Sequence, residues 1–167
     1  MGKYIFEEFA DYNKRANNKM NSIIKNLSEE EWDKTFSSYW NSIHNLCTHI
    51  YNADYGWLDR FKIFTNPKGF SNIDLEKNYN WKGIVFQNIN DYIKMREELD
   101  EKIIVYVNEI TEDDLEIIMS LTDREGNIHS KKLGIYFTHM FNHATHNRGQ
   151  ISVYLDILGK ENDWGSF

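Results

Sequence analysis

A single proline, Pro67, stands in a chain of 167 residues. Proline removes a backbone donor and clashes with the preceding turn, so its scarcity leaves long stretches free to coil into helices. Apolar residues recur at three-to-four spacing along four such stretches. From Tyr4 to about Asn26 they are Ile5, Phe9, Tyr12, Ala16, Met20, Ile23 and Ile24. Ser28 with Glu31 is a capping box, opening a short turn or helix to about Trp32. From about Ser38 to Phe64 the stripe is Ile43, Leu46, Cys47, Ile50, Ala53, Trp57, Leu58 and Phe61, before Asn66-Pro67-Lys68-Gly69 ends the helix. Residues 66–87 read as a long connection. A third helix covers Asn88 to Glu109, and a fourth runs from about Lys131 to Leu158 with Gly159 as its stop. Between these two, Leu115–Leu121 and Ile128 flank the turn-rich Thr122–Asn127, the pattern of a small β-hairpin within Thr111–Ser130. The expected fold is all-α: a four-helix bundle with a long connection between helices 2 and 3 and a hairpin before the last helix. It forms one domain over residues 1–167.

Charge narrows the partners. Lys and Arg total 19 against 26 Asp and Glu, a net charge of -7, spread without a basic tract. Phosphate backbones and anionic membranes need clustered cations, so neither nucleic acid nor a membrane surface is an expected partner. No apolar run reaches the length of a membrane span. The one cysteine, Cys47, excludes an internal disulfide and a Cys-rich zinc site. With no signal peptide, it points to a reducing cytoplasm. Cys47 itself lies on an apolar stripe and reads as a small buried hydrophobe.

The chemistry signal lies in six histidines: His44, His49, His129, His139, His143 and His146. Three fall in Thr138–Gln150 of the last helix, where His139/His143, His143/Asn147 and His143/His146 are competing pairs. With Leu133 at zero and 100° per residue, Asn147 lies at roughly −40° and His143 at roughly −80° from the apolar face. His139 and His146 lie farther out, at roughly −120° and −140°. On the second long helix His49 and His44 fall on opposite margins, so they do not serve one compact site. His129 reads as a surface residue. Neutral imidazole is a ligand for zinc, nickel or iron(II). A helical HxxxH without the Glu of HExxH is a weak signal by itself, because exposed or core-capping histidine is commoner.

Thr138–Ile151 (THMFNHATHNRGQI) resembles the last-helix signature of the DinB-like family, the DinB/YfiT metalloprotein superfamily, which reads N-H-x-x-Y/H-H-R-G-Q. Leu46–Phe61 resembles its second-helix signature, a His followed by Asp and Trp-Leu. The resemblance covers nearly the whole chain. It implies a four-helix bundle with up-down-down-up character, a homodimer, and a divalent metal held by one His of the second long helix and two of the last. Carried onto this chain, those positions are His49, His143 and residue 147, which here is Asn147. His146 lies about 100° round the helix from that position and is no simple replacement; His146 and His139 stand as weaker substitutes.

Three arrangements follow. Asn147 ligates through its amide oxygen, a harder and weaker donor than imidazole. Or His49 and His143 hold a metal with water or a shifted His146. Or the site is metal-free, with Asn147 hydrogen-bonded to a neighbouring histidine. The resemblance thus implies a metal-dependent enzyme acting on a small molecule, a thiol transferase or hydrolase using Zn, Ni or Fe. The alternative is a non-catalytic, metal-free dimeric relative whose site has degenerated at Asn147. No general base accompanies the pair, which weakens the hydrolase version. Arg148, Gly149 and Gln150 match the family's R-G-Q. Arg148 reads as a structural ion-pair or dimer residue with Asp54 or Asp59 as partner, and Gly149 as a point of close helix approach. Asp54 lies on an apolar stripe and is expected to be paired. Trp32, Trp40 and Trp57 read as core or interface.

Overall fold

The computed structural model of the protein describes residues 2–65, 85–123 and 125–166. Four long helices dominate: α1 (Lys3–Ile24), α3 (Ile43–Phe64), α4 (Ile89–Glu109) and α6 (Leu133–Ile157). Two short helices, α2 (Glu29–Asp33) and α5 (Glu112–Leu115), and one hairpin, β1 (Ile118–Thr122) with β2 (Ile128–Lys132), complete the described elements. α1 packs mainly on α4 and α3 mainly on α6, while α1–α6 and α3–α4 contacts close the ring of four. This is the expected all-α bundle with its hairpin before the last helix. Most of the connection after α3, with Pro67 and Gly69, lies outside the described residues.

Caps set the boundaries. Ser28 and Glu31 form the expected capping box of α2. α3 begins at Ile43, not near Ser38, because the Ser42 hydroxyl accepts from Asn45 N at 3.0 Å and caps it. The preceding residues turn instead, with Phe36 N donating to Asn41 O at 2.7 Å. Asn88 caps α4 in the same way. Leu115 belongs to α5 and not to a strand, because Thr111 and Asp114 make a second capping box. β1 and β2 pair antiparallel, Ser120 opposite Ser130, and the ladder reaches Lys132, so α6 begins at Leu133 rather than near Lys131. Gly159 ends α6 at φ +71°, a left-handed conformation costly for any residue with a Cβ.

The core is apolar and aromatic: Phe61 and Phe137 stack with centroids 4.4 Å apart, and Tyr106 stacks on Phe137. Cys47 is fully buried, and burial pushes its thiol up to about 12, so it is an inert hydrophobe. Threaded through this core is a polar network. Arg96 Nη1 donates to Asp54 Oδ2 at 2.8 Å and its Nη2 to Asp100 Oδ1 at 2.7 Å. Asn17 Nδ2 donates to both Asp100 oxygens at 2.9 and 3.0 Å, and Asn13 Nδ2 to Oδ1 at 3.3 Å. Arg148 Nη1 donates to the amide oxygens of Asn13 and Asn17. One chain of contacts therefore joins α1, α3, α4 and α6. Asp54 is paired as its place on the stripe requires, but with Arg96. Arg148 meets two asparagines rather than Asp54 or Asp59, because Arg96 already lies between the two buried carboxylates and Asp59 pairs with Lys62. Gly149 is no close-approach point: a Cβ there would meet nothing within 4 Å.

Candidate functional site

The expected site residues come together between α3 and α6. His49 Nε2 lies 2.9 Å from His143 Nε2, with the rings edge to face. Asn147, one turn beyond His143, is buried and turns its amide into the same point. Its Nδ2 donates to the His143 carbonyl at 2.8 Å and approaches His143 Nε2 at 3.1 Å. The proton pattern follows from this network. An N–H from Asn147 aims at His143 Nε2, so that nitrogen carries the lone pair and Nδ1 carries the proton. His49 Nε2–H is then a second donor that shares this one lone pair across the 2.9 Å contact. His143 Nδ1 is buried with no partner among the described residues.

Burial pushes both imidazoles down to about 4, His49 further by His143, and His143 by His139 and His146. Both are neutral at pH 7. They are poor general bases there, yet each keeps a donor and an acceptor face.

The other histidines separate. His44 turns away to Asp33, Nδ1 to Oδ1 2.7 Å, and stacks on Trp32. His146 is exposed and bonded to Gln150 at 2.7 Å. His139 is exposed and meets the Trp57 ring edge to face. His129 is the surface residue expected; its Nε2 lies 2.7 Å from Asp123 Oδ2, and both line the neighbouring cavity.

That cavity, about 690 Å³, opens from His49. Its walls include Ala53, Trp57 and Arg60 of α3, Leu121 of β1, and Tyr136 and His139 of α6. The Arg60 guanidinium lies 5.3 Å from the Trp57 ring centre. Trp40 closes the site from the other side, stacked on His49 with centroids 4.0 Å apart. Tyr154 OH holds the Trp40 carbonyl at 2.6 Å, and Phe36 stacks on Tyr154. Trp32 is in the core, and Trp40 and Trp57 pack against it as expected while also bordering the site. Tyr136 carried an unused signal, since seven residues before His143 puts it on the same helix face.

The DinB family profile matches residues 1–165. The chain belongs to the DinB family. It is similar to Protein DinB of Bacillus subtilis strain 168, 22% identical over 159 residues, which span 95% of this chain and 88% of that protein. A crystal structure of a DinB-like protein from Bacillus subtilis superposes with a TM-score of 0.64 at 17% identity, covering 93% of this chain and 94% of that one. That likeness supports the fold alone.

The metal implied by the DinB resemblance can be tested against these side chains. Two nitrogens about 2.1 Å from one ion are about 3.0 Å apart at a right angle and about 3.4 Å apart at the tetrahedral angle of zinc. The 2.9 Å separation of the two Nε2 atoms matches the right angle and is short for tetrahedral zinc. Asn147 does not fit an ion. A ligand needs a lone pair, and the amide presents an N–H. Turning the amide over would set its oxygen against the His143 carbonyl, 2.8 Å from the atom now donating to it. Among the described residues, no group of three or more His, Cys, Asp or Glu gathers to hold an ion. Two of the three positions fit a metal and the third is built as a hydrogen-bond donor. No described helix is long and apolar enough to cross a membrane.

Proposed function

We propose that this DinB-family protein binds a small organic molecule in the cavity beside His49 and His143, and does so without a resident metal. The observation that carries the reading is the Asn147 amide, whose N–H aims at His143 Nε2 while its other bond is anchored on the His143 carbonyl. An amide in this pose closes the imidazole pair by hydrogen bonds, as a buried polar group requires. The walls set the apolar and aromatic Ala53, Trp57, Leu121 and Tyr136 beside the polar or charged Asn52, Arg60, Asp123 and Lys131, a mixed lining that suits a small organic molecule. Trp57, Tyr136 and His139 offer faces and edges to a flat ligand. A homodimer is part of this proposal, tested by light scattering for twice the 20.0 kDa chain mass.

A second reading keeps the metal. The 2.9 Å spacing of the two imidazole nitrogens supports it for an ion that takes ligands at right angles, Ni or Fe before Zn, held by His49 and His143. When bound, such an ion would acidify a thiol or water for the thiol-transferase or hydrolase chemistry considered from the sequence. Two protein ligands make that ion weakly held.

Elemental analysis of untagged protein separates the two. The first reading expects no stoichiometric transition metal, and no rise in melting temperature with zinc, nickel or manganese. A stoichiometric metal that is lost in both His49→Ala and His143→Ala would overturn it and establish the second.

A further inference from the structure

α6 has another face, turned toward α1. Phe141, Asn142, Thr145 and Arg148 follow one another on it at helical spacing. With Phe9 and Tyr12 they enclose a cavity of about 360 Å³ that shares no lining residue with the histidine cavity. Its cation is Arg148, only 1% exposed.

The guanidinium's hydrogen bonds are unevenly used. Both protons of Nη1 go to Asn13 and Asn17. Nη2 makes one bond, 3.2 Å long, to the Thr145 hydroxyl that itself lines the cavity. Nε has no partner among the described residues. Nε and Nη2 share one side of the planar fork, a side that carboxylates grip with two parallel hydrogen bonds. Arg96 makes a useful contrast. Two carboxylates hold it and raise its pKa, whereas burial lowers that of Arg148, whose hydrogen-bond partners are neutral. The rest of the cavity sets three aromatic rings, Phe9, Tyr12 and Phe141, among the polar Asn13, Thr138, Asn142 and Thr145. Phe9 and Phe141 stack with centroids 5.7 Å apart, and the Tyr12 ring lies 5.6 Å from the Arg148 guanidinium carbon.

We propose that this cavity binds a small carboxylate with an aromatic or short apolar tail. The carboxylate displaces the Thr145 hydroxyl from Nη2 to reach Nε, which is buried behind it, and the tail lies against Phe9 and Phe141. The buried charges of Arg96, Arg148, Asp54 and Asp100 already balance, so the ligand brings an extra negative charge. Binding is selective for the anion but weak.

Phenylacetate is the probe, titrated into the full chain and followed by NMR chemical shifts, with phenylacetamide as the neutral isostere. Saturable phenylacetate binding is expected, at least about tenfold tighter than the amide. The shifts should centre on α1 and α6 around Arg148. Asn142, exposed at the cavity edge, allows a test that spares the core. Asn142→Lys should tighten phenylacetate binding and Asn142→Glu should weaken it. Arg148→Lys keeps the charge but loses the fork, and should weaken binding about tenfold. If that variant does not fold, the Asn142 pair decides. Equal affinity for acid and amide, no saturable binding, shifts centred on His49 and His143, or indifference to both Asn142 variants would overturn the assignment.

Discussion

Asn147→His is the most informative single change. It puts a third imidazole where the amide now donates, one turn from His143 and facing His49. Four-ligand zinc sites are worth about 10–16 kcal/mol, so one ligand contributes about 3 kcal/mol. That is about a hundredfold in zinc Kd. The change also removes the Asn147 bonds to the His143 carbonyl at 2.8 Å and to its Nε2 at 3.1 Å. At about 1 kcal/mol for each neutral hydrogen bond, the metal-free variant loses about 2 kcal/mol. It should melt about 4–8 °C below the parent. Zinc at about a hundred times its Kd returns about 2.7 kcal/mol, more than the loss. The signature is therefore crossed: lower melting than the parent without zinc, higher with it. Calorimetric melts with and without zinc, plus competition against a chromophoric chelator, read both arms. A variant that binds zinc no more tightly than the parent would refute the reasoning that residue 147 controls the site.

Acid should weaken the fold in a window set by the same pair. His49 and His143 are pushed down to about 4 in the folded protein, against about 6.5 unfolded, so the unfolded chain binds more protons between those values. Their contribution is whole above pH 6.5 and is lost as pH falls toward 4; melting temperature should drop from pH 6.5 to 5, and His143→Gln should flatten that slope by nearly one proton. Arg96→Met strands the Asp54 and Asp100 carboxylates and should cost about 3–5 kcal/mol in urea unfolding. Trp40→Ala uncovers the His49 ring at a cost of about 1 kcal/mol, and should speed modification of His49 by diethyl pyrocarbonate several-fold.

The helices and their order could be read from apolar spacing because each long helix buries one face along its whole length. The ends depended on caps. Where the cap was a recognised pair, as at Ser28 and Glu31, the boundary was readable. Where one serine among several candidates did the capping, as at Ser42, it was not. The convergence of His49, His143 and Asn147 followed from helical angles together with the family resemblance, since both histidines lie on margins that face each other once α3 packs on α6. The stacking of Trp40 on His49 was unreadable because Trp40 reaches that ring through an irregular turn, where periodicity carries no information. The partner of Arg148 was missed for a related reason. Charge alone suggests a carboxylate, while the structure relays its charge to Asp100 through the neutral amides of Asn13 and Asn17.

That relay has a consequence for how the protein can change. Hydrogen bonds are short and directional, so sliding any of the four long helices by one turn would strand a charge in an apolar interior. Alignment of the staves is thus locked about a point separate from the imidazoles. Residues such as Asn147 are free to vary in what they bind, because they are not what keeps the barrel in step.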